Sequence, residues 1–452
     1  MGRHCVWIVL LLLASSGLEA AESATNTAAW LSRPLSLAEA IALALQNNAN
    51  VLRGKSDIEG AYGVVVQNRS VGLPHVRSSG NFTKTERSFI ETFPSFGPFQ
   101  IPQPDKTWAV GVQVTQGIYE GGRINSAYRT ANLTKEQALA QYQAVIADTL
   151  LDVQVAYYDV LLAGELITVQ EASVNLLSRE LRDTQNRFEA GTVPRFNVLR
   201  AEVELANAQP RLIRAKNASR IARNNLAISL GFDVPRNVWE NIPLQLSDKL
   251  EAQPLEVQLP AALGEALARR PELVVLRKAE GLRQEQITTA KSGYKPAVEL
   301  FAGYGARNSS FSDDPLQEIH GWNTGVQFSW DIFDGLLTKG RVQQAQALLT
   351  RARVDVSDTA RRIEQEVRTA YSTFIEAREV LESQRKVQEQ AEEALRLAIA
   401  RNEAGAGTQL DVLSAQTALT EARSTQVQAL REYAVARARL ERAIGQHVTT
   451  PK

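Results

Sequence analysis

The sequence of 452 residues has few of the residues on which enzymes and metal sites depend. It contains four histidines and one cysteine, and its 50 basic residues equal its 50 acidic residues. The histidines are scattered, and no metal-spaced cluster, nucleophile elbow or phosphate-binding glycine loop is visible. A nucleic-acid-binding protein needs a surplus of basic residues to neutralise phosphates. The sequence therefore predicts neither an enzyme nor a nucleic-acid-binding protein, and it indicates no cofactor and no metal.

Long apolar runs are also missing, apart from one near the N-terminus. Arg3 and His4 precede an apolar run over residues 6–13, and small residues follow it, which is the order of a secretory signal. The run is too short to span a bilayer as a helix, which takes about 20 residues. We expect residues 1–21 to be a signal peptide, cleaved between residues 17 and 24. A buried N-terminal helix is the alternative.

The single cysteine, Cys5, lies before this apolar core and would leave with the signal. A bacterial lipoprotein carries its acylated cysteine just after the apolar run, and none is there. We therefore expect an exported chain without a lipid anchor, a disulfide or a thiolate metal ligand. No later stretch approaches 18 uninterrupted apolar residues, so a membrane crossing would have to use β-strands.

What the sequence does contain is a tandem repeat with a period near 214 residues. Gly111-Val112-Gln113 returns as Gly325-Val326-Gln327, and Asn197-Val198-Leu199 returns as Asp411-Val412-Leu413. Chance does not supply an ordered series of such matches, so the chain is interpreted as a duplication. The predicted divisions are a first repeat at 34–231, an inter-repeat segment at 232–258, a second repeat at 259–445 and a tail at 446–452.

Each repeat contains a very long helical stretch, from Arg123 to about Glu189 and from Gly340 to about Glu403. Some 65 helical residues would extend about 100 Å. Apolar and small residues recur at intervals of three and four, which predicts long helices packed in pairs as coiled coils. A break containing glycine ends each stretch, and a return helix follows it. The residues predicted at these tips are Gly191, Thr192 and Pro194 in the first repeat and Gly405, Gly407 and Thr408 in the second.

Two alternating segments precede each long helix, at residues 76–87 and 108–118 and at residues 298–306 and 322–332. Their apolar residues alternate with small or polar ones, which predicts strands with one apolar face. Trp108 and Tyr119 are eleven residues apart, as are Trp322 and Phe333. At a tilt of about 45° that spacing covers roughly 25 Å, the height of the apolar band of an outer-membrane barrel. The predicted membrane aromatic girdle consists of Trp108, Tyr119, Trp322, Trp330 and Phe333.

Hairpins of a soluble sheet are the alternative interpretation of these segments, but the aromatic spacing favours the membrane. Four strands cannot close a barrel, because bacterial barrels begin at eight. An open sheet in lipid would expose unpaired backbone groups along its edges. Several chains must therefore share one barrel.

These features, taken in their order, resemble the TolC-type outer-membrane efflux proteins. Residues 70–76, 111–123 and 403–416 are similar to that family's entry into its first strand, its exit from the barrel and its periplasmic helix turn. The resemblance implies a mainly α fold with transmembrane β-strands, in which three chains build a 12-stranded barrel and an α-helical periplasmic tunnel. It implies a passive exit duct in the outer membrane of a Gram-negative bacterium, extending into the periplasm.

The resemblance also implies partners and a periplasmic aperture. The partners are two further copies of the chain, outer-membrane lipid, a periplasmic adaptor and an inner-membrane ABC or proton-driven pump, with docking at the helix tips. In the family, aspartates at the helix turns narrow the aperture. Asp411 matches one of them, Ser414 stands where a second acidic residue can occur, and Asn197 stands at the equivalent position of the first repeat. Arg195 and Arg200 are expected to pair with Asp411. The alternative is that Asp411 is simply the N-cap of the following helix.

Two further points stay open. A periplasmic adaptor is the alternative function, although adaptors carry one helical hairpin beside compact β domains and this chain has the hairpin twice. The cargo is either protein or small molecules, and the missing lipid-anchor cysteine and residues 117–123 favour protein secretion. The two helix turns differ in sequence, so one helix pair is expected to be more mobile than the other.

Overall fold

A computed structural model describes residues 34–90, 104–232, 242–309, 314 and 316–446. The predicted signal peptide and the chain beyond residue 446 lie outside these ranges, as do parts of the loops between paired strands and of the inter-repeat segment. The described helices are α1 (Leu37–Asn47), α2 (Ala49–Ser70), α3 (Arg123–Glu189), α4 (Arg195–Ser229), α5 (Leu259–Arg269), α6 (Pro271–Lys291), α7 (Leu337–Glu403) and α8 (Gln409–Ile444). The described strands are β1 (His75–Lys84), β2 (Lys106–Glu120), β3 (Ala297–Asn308) and β4 (Glu318–Ser329).

The prediction of a mainly α chain with four strands is confirmed. The first long helix has its predicted bounds, and the second begins three residues earlier, at Leu337. The last strand differs most from its predicted range of 322–332, because it runs from Glu318 to Ser329. Its final residue pairs with Ala297, the first residue of β3, so residues 330–332 have no neighbouring strand to pair with. Similarly, β1 ends at Lys84 because its partner strand begins at Lys106.

The chain folds into two compact units, and each combines parts of both sequence repeats. Of the described residues, the first unit contains 34–53, 145–232, 242–269 and 364–446, and the second contains 54–90, 104–144, 270–309, 314 and 316–363. The helices α3 and α7 each contribute residues to both units.

The core of the first unit forms where α1, α3 and α4 meet the segment that follows residue 241. Tyr157 of α3 is fully buried, and its hydroxyl lies within hydrogen-bonding distance of two acceptors, the backbone oxygen of Leu35 at 3.0 Å and a carboxylate oxygen of Asp248 at 2.8 Å. Asp248 also accepts from the backbone N–H of Leu37. Because a buried phenol needs hydrogen-bond partners, this contact fixes the inter-repeat segment against the start of the chain.

In the same unit α8 is joined to the two long helices by ion pairs. Arg431 contacts Asp159 of α3 at 2.7 Å, and the largely buried Arg442 contacts both Asp148 of α3 and Glu366 of α7. The pKa of Asp152, one turn from Asp148 on α3, is raised by burial and by the negative charge of Asp148. These pairs hold α8 in register with α3 and α7.

The second unit contains one four-stranded sheet in the order β1-β2-β3-β4, and every neighbouring pair is antiparallel. Its helical part is held by polar contacts, including those of Ser126 on α3 with the backbone oxygen of Glu285 and with Thr289 on α6. A small apolar cluster of Ile287, Ala345 and Leu349 joins α6 to α7.

Among the described helices, α3 alone has the length and composition of a membrane-spanning helix, and 22% of its most apolar stretch is buried inside the protomer. A helix that packs against neighbouring helices has the same composition. This stretch by itself therefore assigns no membrane span.

Candidate functional site: the helix turns and the two sheet faces

The turns at the ends of α3 and α7 share one backbone design. Gly191 and Gly405 have φ angles of 74° and 70°, in the left-handed region that glycine adopts without steric cost. The backbone N–H of Thr192 donates to the backbone oxygen of Arg187, and the backbone N–H of Ala406 donates to the backbone oxygen of Arg401. Each of these bonds closes a Schellman motif. The predicted role of both glycines as helix terminators is therefore visible in the backbone.

The start of α8 carries a complete capping box. Thr408 is the N-cap, and its side chain accepts from the backbone N–H of Asp411 at 3.2 Å. The carboxylate of Asp411 accepts in return from the backbone N–H and the hydroxyl of Thr408, both at 2.9 Å. These hydrogen bonds lower the pKa of Asp411. The alternative of Asp411 as the N-cap itself is thus corrected, because Thr408 is the cap and Asp411 is the third helical residue.

The start of α4 has no such box. Its N-cap is Pro194, which makes no side-chain capping bond, and Asn197 stands where the second repeat has Asp411. Proline has no hydroxyl to accept from the helix, so the first-turn N–H groups of α4 lack the side-chain acceptor that α8 has. The long helices α3 and α7 thus end in the same way, and the two turns differ in how the first turn of the following helix, α4 or α8, is capped.

A groove of about 520 Å³ lies between the two turns. It brings together six of the predicted tip and aperture residues, namely Thr192, Pro194, Asn197, Arg200, Gly407 and Thr408. It does not include Asp411, Ser414, Arg195, Gly191 or Gly405. In the described part of one chain, the carboxylate of Asp411 is turned back towards Thr408 and forms no ion pair with Arg195 or Arg200. The expected pairing with these arginines stays a prediction.

One polar contact in this groove was not predicted from the sequence. The side-chain amide of Gln409 donates to Thr184 at 2.6 Å and to Glu180 at 3.3 Å, and so joins the first residue of α8 to α3. Thr184 is 4% exposed. The seven-residue spacing of a coiled coil could have indicated this contact. Gln409 is seven residues before the buried Gln416, and Thr184 is seven residues after the buried Leu177, so both polar side chains fall at positions that face a neighbouring helix.

The sheet has one apolar and one polar face, and its register shows which residues share each. Tyr304 of β3 is the register partner of Val112 on β2 and of Trp322 on β4, so these three side chains lie on the same face. Strict alternation would put Tyr119 on the face opposite Trp108, but an irregularity between Gly117 and Tyr119 pairs Tyr119 with Val298 and returns it to the apolar face. The apolar face carries Val76, Phe82, Trp108, Val110, Val112, Val114, Tyr119, Val298, Leu300, Tyr304, Trp322, Val326 and Phe328.

The remaining girdle residues lie beyond the strands. Trp330 follows the last residue of β4, is half exposed, and donates its indole N–H to the backbone oxygen of Tyr294. Phe333 lies further on and is 80% exposed. Because β4 ends at Ser329 rather than at the predicted residue 332, Phe333 lies four residues beyond the strand, and its place in a girdle stays a prediction.

Comparison with known proteins identifies the architecture. The family model described as outer membrane efflux protein matches residues 40–232 and 262–446. The chain is 24% identical to the outer membrane protein TolC of Vibrio cholerae over 436 residues, covering 95% of this chain and 94% of that protein. It is 23% identical to the alkaline protease secretion protein AprF of Pseudomonas aeruginosa, covering 90% and 83%. The solved outer membrane channel CmeC of Campylobacter jejuni superposes with a TM-score of 0.75 at 17% identity, covering 92% of this chain and 87% of that one.

The two matched ranges correspond to the two repeats, and they set aside the interpretation as a periplasmic adaptor. The described residues contain no group of histidine, cysteine and carboxylate side chains that could hold a metal ion. The family consists of channels rather than enzymes. On this evidence the chain belongs to the outer membrane efflux protein family, whose members form exit ducts in the outer membrane of Gram-negative bacteria and extend into the periplasm.

Proposed function

We propose that three copies of this chain share one 12-stranded barrel and one helical tunnel, and that the helix tips dock with a periplasmic adaptor and an inner-membrane pump. The observation that carries the proposal is the open sheet. Its edge strands, β1 and β4, have a strand neighbour on one side only within the described chain. Because lipid offers no hydrogen bonds to a sheet edge, each edge needs a partner from another copy.

The number of copies follows from the width that a duct requires. Eight strands, from two copies, close a barrel whose interior is filled by its own side chains. Twelve strands spaced about 4.8 Å apart and tilted about 40° give a backbone radius of about 12 Å. Three copies are thus the smallest number that leaves a water-filled passage.

The return helix α4 supports a neighbouring copy independently. Its apolar side chains Phe196, Leu199, Val203, Ile221 and Ile228 are each at least 49% exposed in the protomer. At 100° per residue they lie within about 60° of one another on the helix, which is the pattern of a packed face. Of the seven basic residues of α4, Lys216 alone forms an ion pair, with Glu171, in the part of the chain that the structure describes. We propose that a second copy covers this face.

Cell fractionation and stoichiometry test the assembly. The protein should be recovered in the outer membrane, and the detergent-solubilised particle should contain three chains by native mass measurement. Recovery in the soluble periplasm as single chains contradicts the proposal. The proposed cargo is polypeptide, supported by the likeness to a protein named for alkaline protease secretion and by residues 117–123. Loss of one secreted protein upon deletion of the chain, with unchanged drug tolerance, is the expected result.

Docking at the tips can be tested with single cysteines, because Cys5 in the predicted signal is the only native one. Thr192→Cys lies at a tip, and we expect a short thiol cross-linker to join it to the adaptor in cells. Glu318→Cys, at the start of β4, is the matched control and should give no such product. Equal cross-linking of both variants argues against docking at the tips.

We further propose that Asp411, with Ser414 and Asn197 near it, lines the periplasmic aperture of the assembled trimer, and that Arg195 and Arg200 pair with Asp411 across copies. Asp411→Asn removes the charge and keeps the shape. We expect it to reduce the cation preference of the channel in planar bilayers. Thr408→Ala, which removes the cap hydroxyl and keeps the charge of Asp411, should leave that preference largely unchanged. An unchanged preference in Asp411→Asn restricts this residue to capping.

A further inference from the structure

The polar face of the sheet is lined mainly by residues with small or hydrophilic side chains. Facing the same way as Gly111, Gln113 and Thr115 of β2 are Gly303 and Gly305 of β3 and Asn323, Gly325 and Gln327 of β4. Glycine, threonine and glutamine along one face suit a surface in contact with water. The opposite face carries the valines and tryptophans described above, so this polar face is the one that an assembled barrel turns towards its lumen.

Phe301 is the one aromatic residue of the described strands that lies on this polar face, apart from the imidazole of His75. Its register partners are Thr115 on β2 and Gly325 on β4. The Phe301 ring lies over Gly325, since a Cβ added to Gly325 would come within 2.7 Å of Cζ. The glycine thus provides the space in which the ring lies flat against the sheet. Phe301 is only partly buried in the protomer, so part of the ring remains available to a ligand.

A carboxylate lies beside this ring. Glu299 is two residues before Phe301 on β3, which puts it on the same face at a spacing of about 7 Å. Glu299 is paired with Gly117, and the carboxylate of Glu120 extends over that glycine. Glu120 is neutralised by Arg123. Within the described ranges no basic side chain forms an ion pair with Glu299, so its charge is available to a ligand.

An aromatic face beside an uncompensated carboxylate is the chemistry that recognises bulky organic cations. The ring attracts a cation through its quadrupole, and the carboxylate attracts it by charge. Arg77 and Arg307 also lie on this face, but Arg77 is two strands away and Arg307 is six residues along β3 from the ring. The nearest charged side chain on the same strand and face is acidic.

We propose that Phe301 and Glu299 form a binding site for organic cations on the lumenal wall of the barrel, repeated once per copy. The site rests on the proposed barrel, because it needs this face to line the passage. It lies in the sheet and is separate from the aperture proposed at the helix turns, so a channel could select cargo at two places. Quaternary ammonium groups, and lysine or arginine side chains of a polypeptide in transit, have the required chemistry.

The orientation of the face is tested first. Phe301→Cys and Phe328→Cys differ in the face on which they place the only thiol of the exported chain, since Phe328 lies on the apolar face. In outer-membrane vesicles a charged, membrane-impermeant maleimide should label Phe301→Cys and should not label Phe328→Cys. The reverse pattern overturns the barrel orientation and with it the proposed function.

The site itself is tested by block of ion current in planar bilayers. Benzyltrimethylammonium added on the extracellular side should block the wild-type channel at lower concentration than tetraethylammonium does. Phe301→Leu keeps the apolar bulk without the ring, and we expect it to raise the blocking constant about two- to fivefold. Glu299→Gln should also raise it, and the matched control Phe328→Leu should not. Correct labelling together with unchanged block in Phe301→Leu overturns the cation site and leaves the barrel intact.

Discussion

The return helices α4 and α8 are the corresponding helices of the two repeats, yet they differ in how far they are buried in the protomer. They have 35 and 36 residues, and Leu226 and Leu440 at corresponding positions near their ends are both fully buried. Towards the turns they diverge. Leu413 is 4% exposed, whereas Leu199, its counterpart in the first repeat, is 49% exposed.

Their polar groups diverge in the same direction. α8 begins in a capping box and forms ion pairs with both long helices. In contrast, α4 begins at a proline without a side-chain cap and contains Pro210 in its interior. Both helices are therefore packed at the ends far from the turns, and they differ near the turns. There α8 is packed inside the protomer, whereas α4 carries the exposed apolar face that we propose a second copy covers.

The largest expected effect distinguishes the buried from the exposed leucine. Leu413→Ala should destabilise the lower part of α8 by about 2–5 kcal/mol, because it leaves a cavity in a packed seam. Leu199→Ala should leave protomer packing unchanged and weaken trimer association. Hydrogen exchange over residues 409–420, together with the resistance of the trimer to detergent, measures both. Equal loss of exchange protection in the two variants would remove the distinction.

The capping box gives the next effect. Thr408→Ala deletes the N-cap side chain and should cost about 1 kcal/mol of local helix stability. The measurement is faster hydrogen exchange in the first two turns of α8. Thr192→Ala, in the other turn and outside any capping box, is the control. Unchanged exchange in Thr408→Ala would mean that contacts such as that of Gln409 with Thr184 hold the helix start alone.

The same comparison can be tested by introducing the capping residues of α8 into α4. Pro194→Thr combined with Asn197→Asp recreates in α4 the pair found at the start of α8. We expect a gain of roughly 0.5–1 kcal/mol in the first turn of α4. Slower exchange over residues 195–200 is the measure, with Asn197→Asp alone as the control. If the double variant exchanges no more slowly than the single one, the missing cap is not what distinguishes the turns.

The smallest effect is a pH dependence confined to one turn. The pKa of Asp411 is lowered by its hydrogen bonds to Thr408, so its ionised form stabilises the folded turn. This stabilisation is present above the ordinary pKa of 3.8 and is lost as the pH falls through the lower pKa of the folded state. Exchange at the start of α8 should therefore accelerate below about pH 4 relative to the start of α4. Asp411→Asn should abolish that pH difference, and a persisting difference would assign it to another group.

The sequence by itself determined the features that repeat at short range. Residue spacing along the sequence was enough to predict four features: the duplication, the bounds of α3, the glycines that end both long helices and the alternation of the strands. Local spacing is enough because 3.6- and 2-residue periods show which side of an element is apolar. The turn residues of the candidate site could be predicted for the same reason.

Only the tertiary structure decided how those elements use their side chains. The irregularity after Gly117 returns Tyr119 to the apolar face, and Ser329 ends the strand short of Phe333 because β3 offers no further partner. The carboxylate of Asp411 bonds to Thr408 rather than to an arginine, and the ring of Phe301 lies over Gly325. Register, rotamer and burial depend on residues distant in sequence, so no local pattern carries them. That dependence is also why two similar return helices became one core helix and one with an exposed apolar face.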